Sequence, residues 1–329
     1  MSNQWLTGLP WRKRGTGGTL ALMIADASVR YVFASDSSEQ GATINSWGTE
    51  LRGNQTREAF LARVKGLLPA ADRALLLLDT LDYQMLQLEA PSVPAEELRA
   101  AIRWRAMESL EGTPDDYTMD LLPVAADAGR LAEVLVAVAR NEVIRARMLD
   151  CEQLGRSVKI IDVTETAHRN LLHAALLAET NEPPVAAALI AAGGRALMVV
   201  SVQGQLCFSR RFEFDVDTFA VAEDDLRLAL VSSSAGEESA QRSIVQLHRS
   251  LDLWDISYPN LPLATMRVDA GPKTPAVLDR LKSETGVDTR PLALSKIFSL
   301  KSLGKSPPWQ DPSYLPLLGA LLRPLEASA

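Results

Sequence analysis

Cysteine is scarce in this chain: of 329 residues only Cys151 and Cys207 carry a thiol. They stand far apart in apolar surroundings, which excludes a cysteine metal cluster, a CxxC redox motif and a disulfide framework. Two small buried side chains in a reducing compartment are expected. Histidine is as rare, with three residues. His168 and His173 are five apart and diverge on a helix, and His248 stands alone, so neither a metal site nor histidine catalysis is expected. An excess of basic residues is also missing. The net charge of −7 and pI near 5.2 argue against nucleic acid as a partner, which needs a basic face to release counterions. The phosphate-binding GxxxxGK[ST] loop, a GxGxxG turn after a strand and the GxSxG elbow are absent as well.

No uninterrupted membrane-length run is present. Residues 185–202 have the length, but Gly193-Gly194-Arg195 sits mid-run, and a central arginine costs roughly 2.5–3.5 kcal/mol on insertion scales. Two buried strands joined by a glycine turn are expected there. Arg12 to Arg14 followed by Leu20 to Ala25 and the Ala25-Asp26-Ala27 triplet imitate a secretory leader. The apolar part is too short, and the pattern continues through Val29, Tyr31 and Phe33 as a strand would. Residues 1–18 read as a flexible leader with a basic knot.

What is present is strand and helix patterning throughout. Leu20 to Ser35 reads as a hairpin turning at Ala25 to Ser28, with a third strand from Ile44 to Glu50. A helix follows over 57–68 with Phe60, Leu61, Val64, Leu67 and Leu68 inward, then a short, fully apolar strand, Ala74 to Leu78. Residues 83–88 and 117–122 are strands around a helix that starts near Pro94. Its apolar face is Leu98, Ile102, Ala106 and Leu110, with Trp104 and Met107 off that face. A tryptophan there calls for a second covering surface. A strand over 131–138 and a helix over 141–154, with Val143, Ile144, Met148 and Cys151 inward, complete a small α+β module. A strand at 158–163 and a helix at 164–178 come next. Strands at 186–191, 196–202 and 205–214 open a second half. Helical sequence over 217–254, interrupted at 232–236, a strand at 266–269, a helix at 275–285, a strand at 287–292 and a short apolar helix at 314–322 close it. On alternating faces of their strand, Arg210 and Arg211 are expected to be one solvated and one paired.

Two halves, each opening on a hairpin with a small-residue turn and with an α+β insert in the first, form an actin-like plan. LMIADASVRYV stands where the PilM, MshI and GspL-cytoplasmic group of actin-like pilus and secretion assembly proteins has a hairpin of the form GIDIGSSSVKVV. VPAEELRAAIRWRAMESL before DDYTMD, VKIIDVTETA, AALIAAGGRALMVV, RVDAGP and the closing YLPLLGALLR resemble further segments of that group in the same order, from about residue 19 to 323. The resemblance is greatest to its mannose-sensitive-haemagglutinin (MSHA) branch, MshI. It implies an α/β, actin-like (ribonuclease H-like) two-domain fold. Residues 19–81 and 157–182 would form the first domain and 82–156 the inserted interaction subdomain. Residues 183–325 would form the second domain, helical over about 217–260.

The same resemblance implies a nucleotide site in which each hairpin supplies an acid for a divalent cation. Here the first acid falls at Met23 and its glycine at Ala25, beside Ser28. The second acid falls at Ala191, although Gly193 and Gly194 remain, and Gly271 is followed by Pro272, which has no backbone donor. The expectation is a vestigial site, no cofactor and a pseudo-ATPase. Asp26, three residues late in the first turn, leaves an alternative open in which ATP and Mg²⁺ still bind. The implied function is a cytoplasmic scaffold, peripheral to the inner membrane. Its implied partner is a bitopic PilN/MshJ-like protein, bound through a cytoplasmic tail resembling N-L-L-P-W/Y-R, with the assembly ATPase a further partner. The expected contact surface is the groove between first domain and insert, flanked by Arg99, Arg103 and Trp104. The Leu9-Pro10-Trp11-Arg12 segment resembles that tail and is expected to compete for the same groove.

Overall fold

A computed structural model describes residues 17–123, 133–179, 183–220, 234–301 and 306–323. The Leu9-Pro10-Trp11-Arg12 segment lies outside them, as does most of the leader.

β1 (Thr19–Ile24), β2 (Ser28–Ser38) and β3 (Gly41–Leu51) form an antiparallel meander. β1 is buried along its whole length because both its faces are covered. Ala21 and Met23 point to one core, and Leu20, Leu22 and Ile24 to another. Helix α1 (Arg57–Leu67), capped by Thr56, covers the second face with Phe60, Leu61 and Val64. Leu67, expected inward, is half exposed, since Leu68 beyond the helix end takes the inward position. β4 (Arg73–Leu77) pairs parallel to β1 and, like it, divides its leucines between the two faces.

The chain then builds a separate three-stranded antiparallel sheet. β5 (Gln84–Glu89) and β6 (Tyr117–Pro123) flank a central β7 (Glu133–Arg140). Helix α2 (Ala95–Ala106) covers one face of it with Ile102 and Ala106, which are fully buried among Tyr117, Met119 and Val136. Met107, expected off that face, packs against this core, because the chain tightens there into a 3₁₀ turn. Trp104 is 70% exposed, so the second covering surface expected for it is not supplied by this chain's described residues. Helix α3 (Asn141–Gln153) packs on α1. Cys151 is buried as expected and Ile144 and Met148 partly so, but the same face also buries Arg147 and Asp150. Val143 is only half-buried and lies outside that core. Two charges enter the face because each has a partner: Arg147 donates to Asp82 (2.7 and 2.8 Å) and Arg57 donates to Asp150.

β8 (Val158–Asp162) returns to the first sheet beside β4, and α4 (Thr164–Leu177) crosses from there to the second sheet. That sheet is formed by β9 (Val185–Ala192), β10 (Arg195–Val202), β11 (Gln205–Glu213), β12 (Thr265–Asp269) and β13 (Asp288–Pro291), in the order β11-β10-β9-β12-β13. The 185–202 run is the β9–β10 hairpin, and Gly193 and Gly194 take φ of 59° and 76°, as the tight turn demands. Among the described residues no helix is long and apolar enough to cross a membrane. Helices α5 (Ser234–Ser257) and α6 (Thr274–Thr285) belong to this half; part of the expected 217–260 helical stretch falls outside the described residues.

The end of the chain goes back to the first sheet. β14 (Phe298–Leu300) pairs with β3, completing the order β14-β3-β2-β1-β4-β8, and α7 (Leu315–Leu321) packs on α4 and β1. A second domain running to residue 325 therefore does not describe where these residues pack. Leu315, Leu317 and Leu318 find their core among Ala21, Met23 and Leu75, partners some 240 to 300 positions earlier.

Candidate functional site

The resemblance places a nucleotide at three turns. In the first, the Ala25 amide donates to the Ser28 carbonyl (2.9 Å), closing the β1–β2 hairpin. Met23 is buried in the core shared with α4 and α7. The Arg30 guanidinium approaches its Sδ at 3.8 Å, donates to the Ser313 carbonyl (3.0 Å) and lies over the Tyr314 ring. The Tyr314 hydroxyl in turn bonds Thr49 (2.9 Å). Asp26 turns the other way. Its carboxylate is 82% exposed and sits 3.5 and 3.3 Å from Arg57 of α1 and Arg147 of α3, helices on the face opposite to Met23. In the second turn Ala191 is buried, while Gly193 and Gly194 are exposed. In the third, Gly271 (φ 60°) is met by Pro312, 3.1 Å from where a side chain would begin, and its amide donates to Asp269 (3.0 Å). Residues 311–314 thus bridge the first sheet and the third turn.

Asp269 is an acid at these turns that patterning did not single out. Among the described residues it has no positive partner, and burial pushes its carboxyl up to about 6. A raised acid pKa means that between pH 4 and 6 the unfolded chain releases this proton while the folded one keeps it, so stability falls as pH rises through that window. The group's share is about 2–3 kcal/mol. Asp269→Asn keeps the acceptor for Gly271 and removes the titration. Thermal melting is expected to show the variant more stable than the parent at pH 7.5 by a few degrees and equal at pH 4.5; an equal gain at both would contradict the assignment.

A concavity lies elsewhere. A groove of about 550 Å³ runs between the insert sheet and the C-terminal ends of β4 and β8. Its apolar wall includes Leu78, Leu122, Ala137, Ile144 and Val163, and its polar residues include Tyr83, Asp120, Asp162, Arg169, Asn170 and Arg323. It is bounded by two sheet edges, since β6 and β8 are the outer strands of their sheets. At its floor the buried Asp162 carboxylate accepts from the Val163 amide (2.9 Å) and from Thr166, and its second oxygen faces Arg323 at 3.2 Å. Burial lowers the pKa of the Arg169 guanidinium, which donates to the Gly204 carbonyl (3.0 Å). The Tyr83 hydroxyl donates to Glu165 (2.5 Å) and accepts from the Thr164 amide (3.0 Å); burial, then the Glu165 charge, raise its pKa well above the usual tyrosine value.

The structure does not gather Arg99, Arg103 and Trp104 along this groove. They lie on α2, which covers the Tyr117 and Met119 face of the insert sheet, whereas Thr118, Asp120 and Ala137 turn to the groove side. Arg99 reaches only its rim, 3.8 Å from Asp120, and Arg103 donates to the Pro114 carbonyl (2.5 Å). Tyr83, Asp162, Arg169 and Arg323 were missed. Asp162 alone had a local signal, an acid ending the apolar run VKIID. Of the two arginines, Arg211 is the paired one, with Glu165 (2.7 Å), while Arg210 is half-buried and donates to Gln246 of α5 (3.2 Å). Among the described residues no cluster of three histidine, cysteine or carboxylate groups is placed to hold a metal ion.

Two mixed sheets joined by crossing helices, with a small sheet inserted after β4, define an actin-like (ribonuclease H-like) α/β protein of two domains. Its fold is similar to that of a chain in the "PilM-PilN type IV pilus biogenesis complex", with a TM-score of 0.66 and 19% identity, covering 92% of this chain and 97% of that one. The cytoplasmic domain of EpsL, an inner membrane component of the type II secretion system of Vibrio cholerae, aligns with a TM-score of 0.48 and 13% identity over 93% and 95% of the two chains. At 19% identity the likeness to the chain of the PilM-PilN complex is one of fold. No family model matches the chain, and no curated protein matches it.

Proposed function

We propose that this protein is a scaffold of a type IV pilus assembly platform, of the MSHA (MshI) branch of the PilM and GspL group. In this reading it sits in the cytoplasm, held at the inner membrane by its partners. The groove between the insert and the first sheet takes the cytoplasmic tail of a bitopic PilN/MshJ-like protein. The observation that carries this is the groove itself, open, apolar on one wall and bounded by the edges of β6 and β8. An extended tail can add main-chain hydrogen bonds to a sheet edge while its side chains enter the apolar wall. The PilM–PilN neighbour supports it at the level of fold. The assembly ATPase is a second partner in this reading, and the exposed Trp104, beside Arg99 and Arg103 on the outer face of the insert, is its contact. Trp104→Ala is expected to leave the melting temperature within about 1 °C, as for an exposed site, while lowering recovery of the ATPase in a pull-down; full recovery would remove Trp104 from the interface.

In the same reading nucleotide is not turned over, and the chain is a pseudo-ATPase. What supports this is the chemistry of the two hairpin turns: a thioether and a methyl group stand at the acid positions, and the one carboxylate in the first turn faces two arginines on the far side. Titration of a fluorescent ATP analogue with and without Mg²⁺ tests this. No saturable binding is expected; micromolar, Mg²⁺-dependent binding would favour a nucleotide-gated protein instead. The groove is tested by titrating the chain with a fluorescein-labelled Asn-Leu-Leu-Pro-Trp-Arg peptide, expected to bind and to be lost in Leu122→Asp.

A further inference from the structure

The groove is formed by the insert and the first sheet, yet two of its residues are held by the second sheet. Arg211 of β11 reaches across to the segment that opens the insert. Its guanidinium pairs with Glu165 (2.7 Å), bonds the Tyr83 hydroxyl, lies over the Tyr83 ring at 5.0 Å and meets the Thr80 carbonyl at 3.5 Å. Glu165 is almost fully buried, so this carboxylate depends on Tyr83 and Arg211 for its compensation. Arg169, on the groove side of α4, is tied to the Gly204 carbonyl in the β10–β11 turn. One hairpin of the second sheet thus grips the groove wall at Tyr83 and Arg169.

We propose that Arg211 is a positioning residue of the groove: acting through Tyr83 and Glu165, it makes peptide affinity depend on where the second sheet sits. The inference rests on the reading that the groove takes a peptide. Physically, the guanidinium supplies a planar fork that satisfies carboxylate and phenol together while stacking on the ring, which a lysine ammonium does not reproduce. Without it the Tyr83 ring loses its stacked cation and one of the three bonds at its hydroxyl, keeping those to Glu165 and the Thr164 amide, and is held less firmly in the groove wall. The linkage is reciprocal, so a peptide that holds Tyr83 in place also favours the arrangement of sheets in which Arg211 reaches it.

The test is a double-mutant cycle in the full chain, read as the affinity for the labelled Asn-Leu-Leu-Pro-Trp-Arg peptide by fluorescence anisotropy. Arg211→Lys and Tyr83→Phe each remove one side of the contact and leave the groove's volume nearly unchanged. Each is expected to weaken binding about five- to tenfold, and the double variant no more than either single one, because contacting residues that act as a unit are not additive. Melting curves of all four proteins identify any loss of folding; Glu165→Gln, which keeps an acceptor for the Tyr83 hydroxyl, serves in place of a variant that fails to fold. Affinities unchanged by Arg211→Lys, or effects that multiply in the double variant, would overturn the proposal while leaving the groove reading intact. Absence of binding by the parent chain defeats the groove reading, and this inference with it.

Discussion

Gly319→Ala is expected to destabilise the protein by more than about 3 kcal/mol, the upper end of the range for overpacking. Gly319 lies in α7 where it crosses α4, and a Cβ there would stand 2.1 Å from the Ala167 carbonyl oxygen and 2.6 Å from its carbon. Both partners are backbone, so no rotamer change relieves the clash, and the two helices must part. Their separation would also break the bond from Asn170 to the Gly319 carbonyl (3.1 Å) and open the leucine-rich core beneath β1. Urea unfolding measures the loss. Gly66→Ala is the control: nothing lies within 4 Å of its Cβ position in α1, so it should gain about 0.5–1 kcal/mol from helix propensity. A Gly319→Ala protein as stable as the parent would show that the α4–α7 contact is looser than described.

Breaking the Arg147–Asp82 pair is the second large effect. Both side chains are about nine-tenths buried and meet through two bonds of 2.7 and 2.8 Å. Arg147→Met leaves the Asp82 carboxylate in that site without a cation, and truncating one partner of a buried pair costs about 3–5 kcal/mol. The double variant Asp82→Leu with Arg147→Met removes the stranded charge and is expected to recover at least half of the loss. Denaturant midpoints of the three proteins decide it. If the single variant is unaffected, water reaches the pair and screens it. Asp82 immediately precedes Tyr83, so the single variant should also bind the tail peptide more weakly.

Much of the fold was legible because its signals are local. The leucines of β4 announce a strand covered on both faces, and Ile102 and Ala106 recur at helical spacing. Glycines marked the β9–β10 turn, since only a residue free of Cβ strain takes positive φ there readily. The candidate site was less legible. The place of Asp26 in a turn leaves a role in nucleotide binding open, but its direction depends on Arg57 and Arg147, 31 and 121 positions away. The off-face Trp104 marks helix α2 in the sequence, yet that helix lies across the insert sheet from the groove.

Periodicity and turn chemistry act between neighbours along the chain, and they suffice for the order of strands and helices; that acids are lacking at positions 23 and 191 is what the resemblance implies. Where charges go is a different matter. Glu165, Arg147 and Asp162 sit inside only because Arg211, Asp82 and Arg323 arrive beside them from distant segments, and burial of a charge is tolerable only when such a partner is there. The groove has the same origin. It is the space left where the edges of two sheets, a helix and one crossing hairpin meet, and no single stretch of sequence contains it.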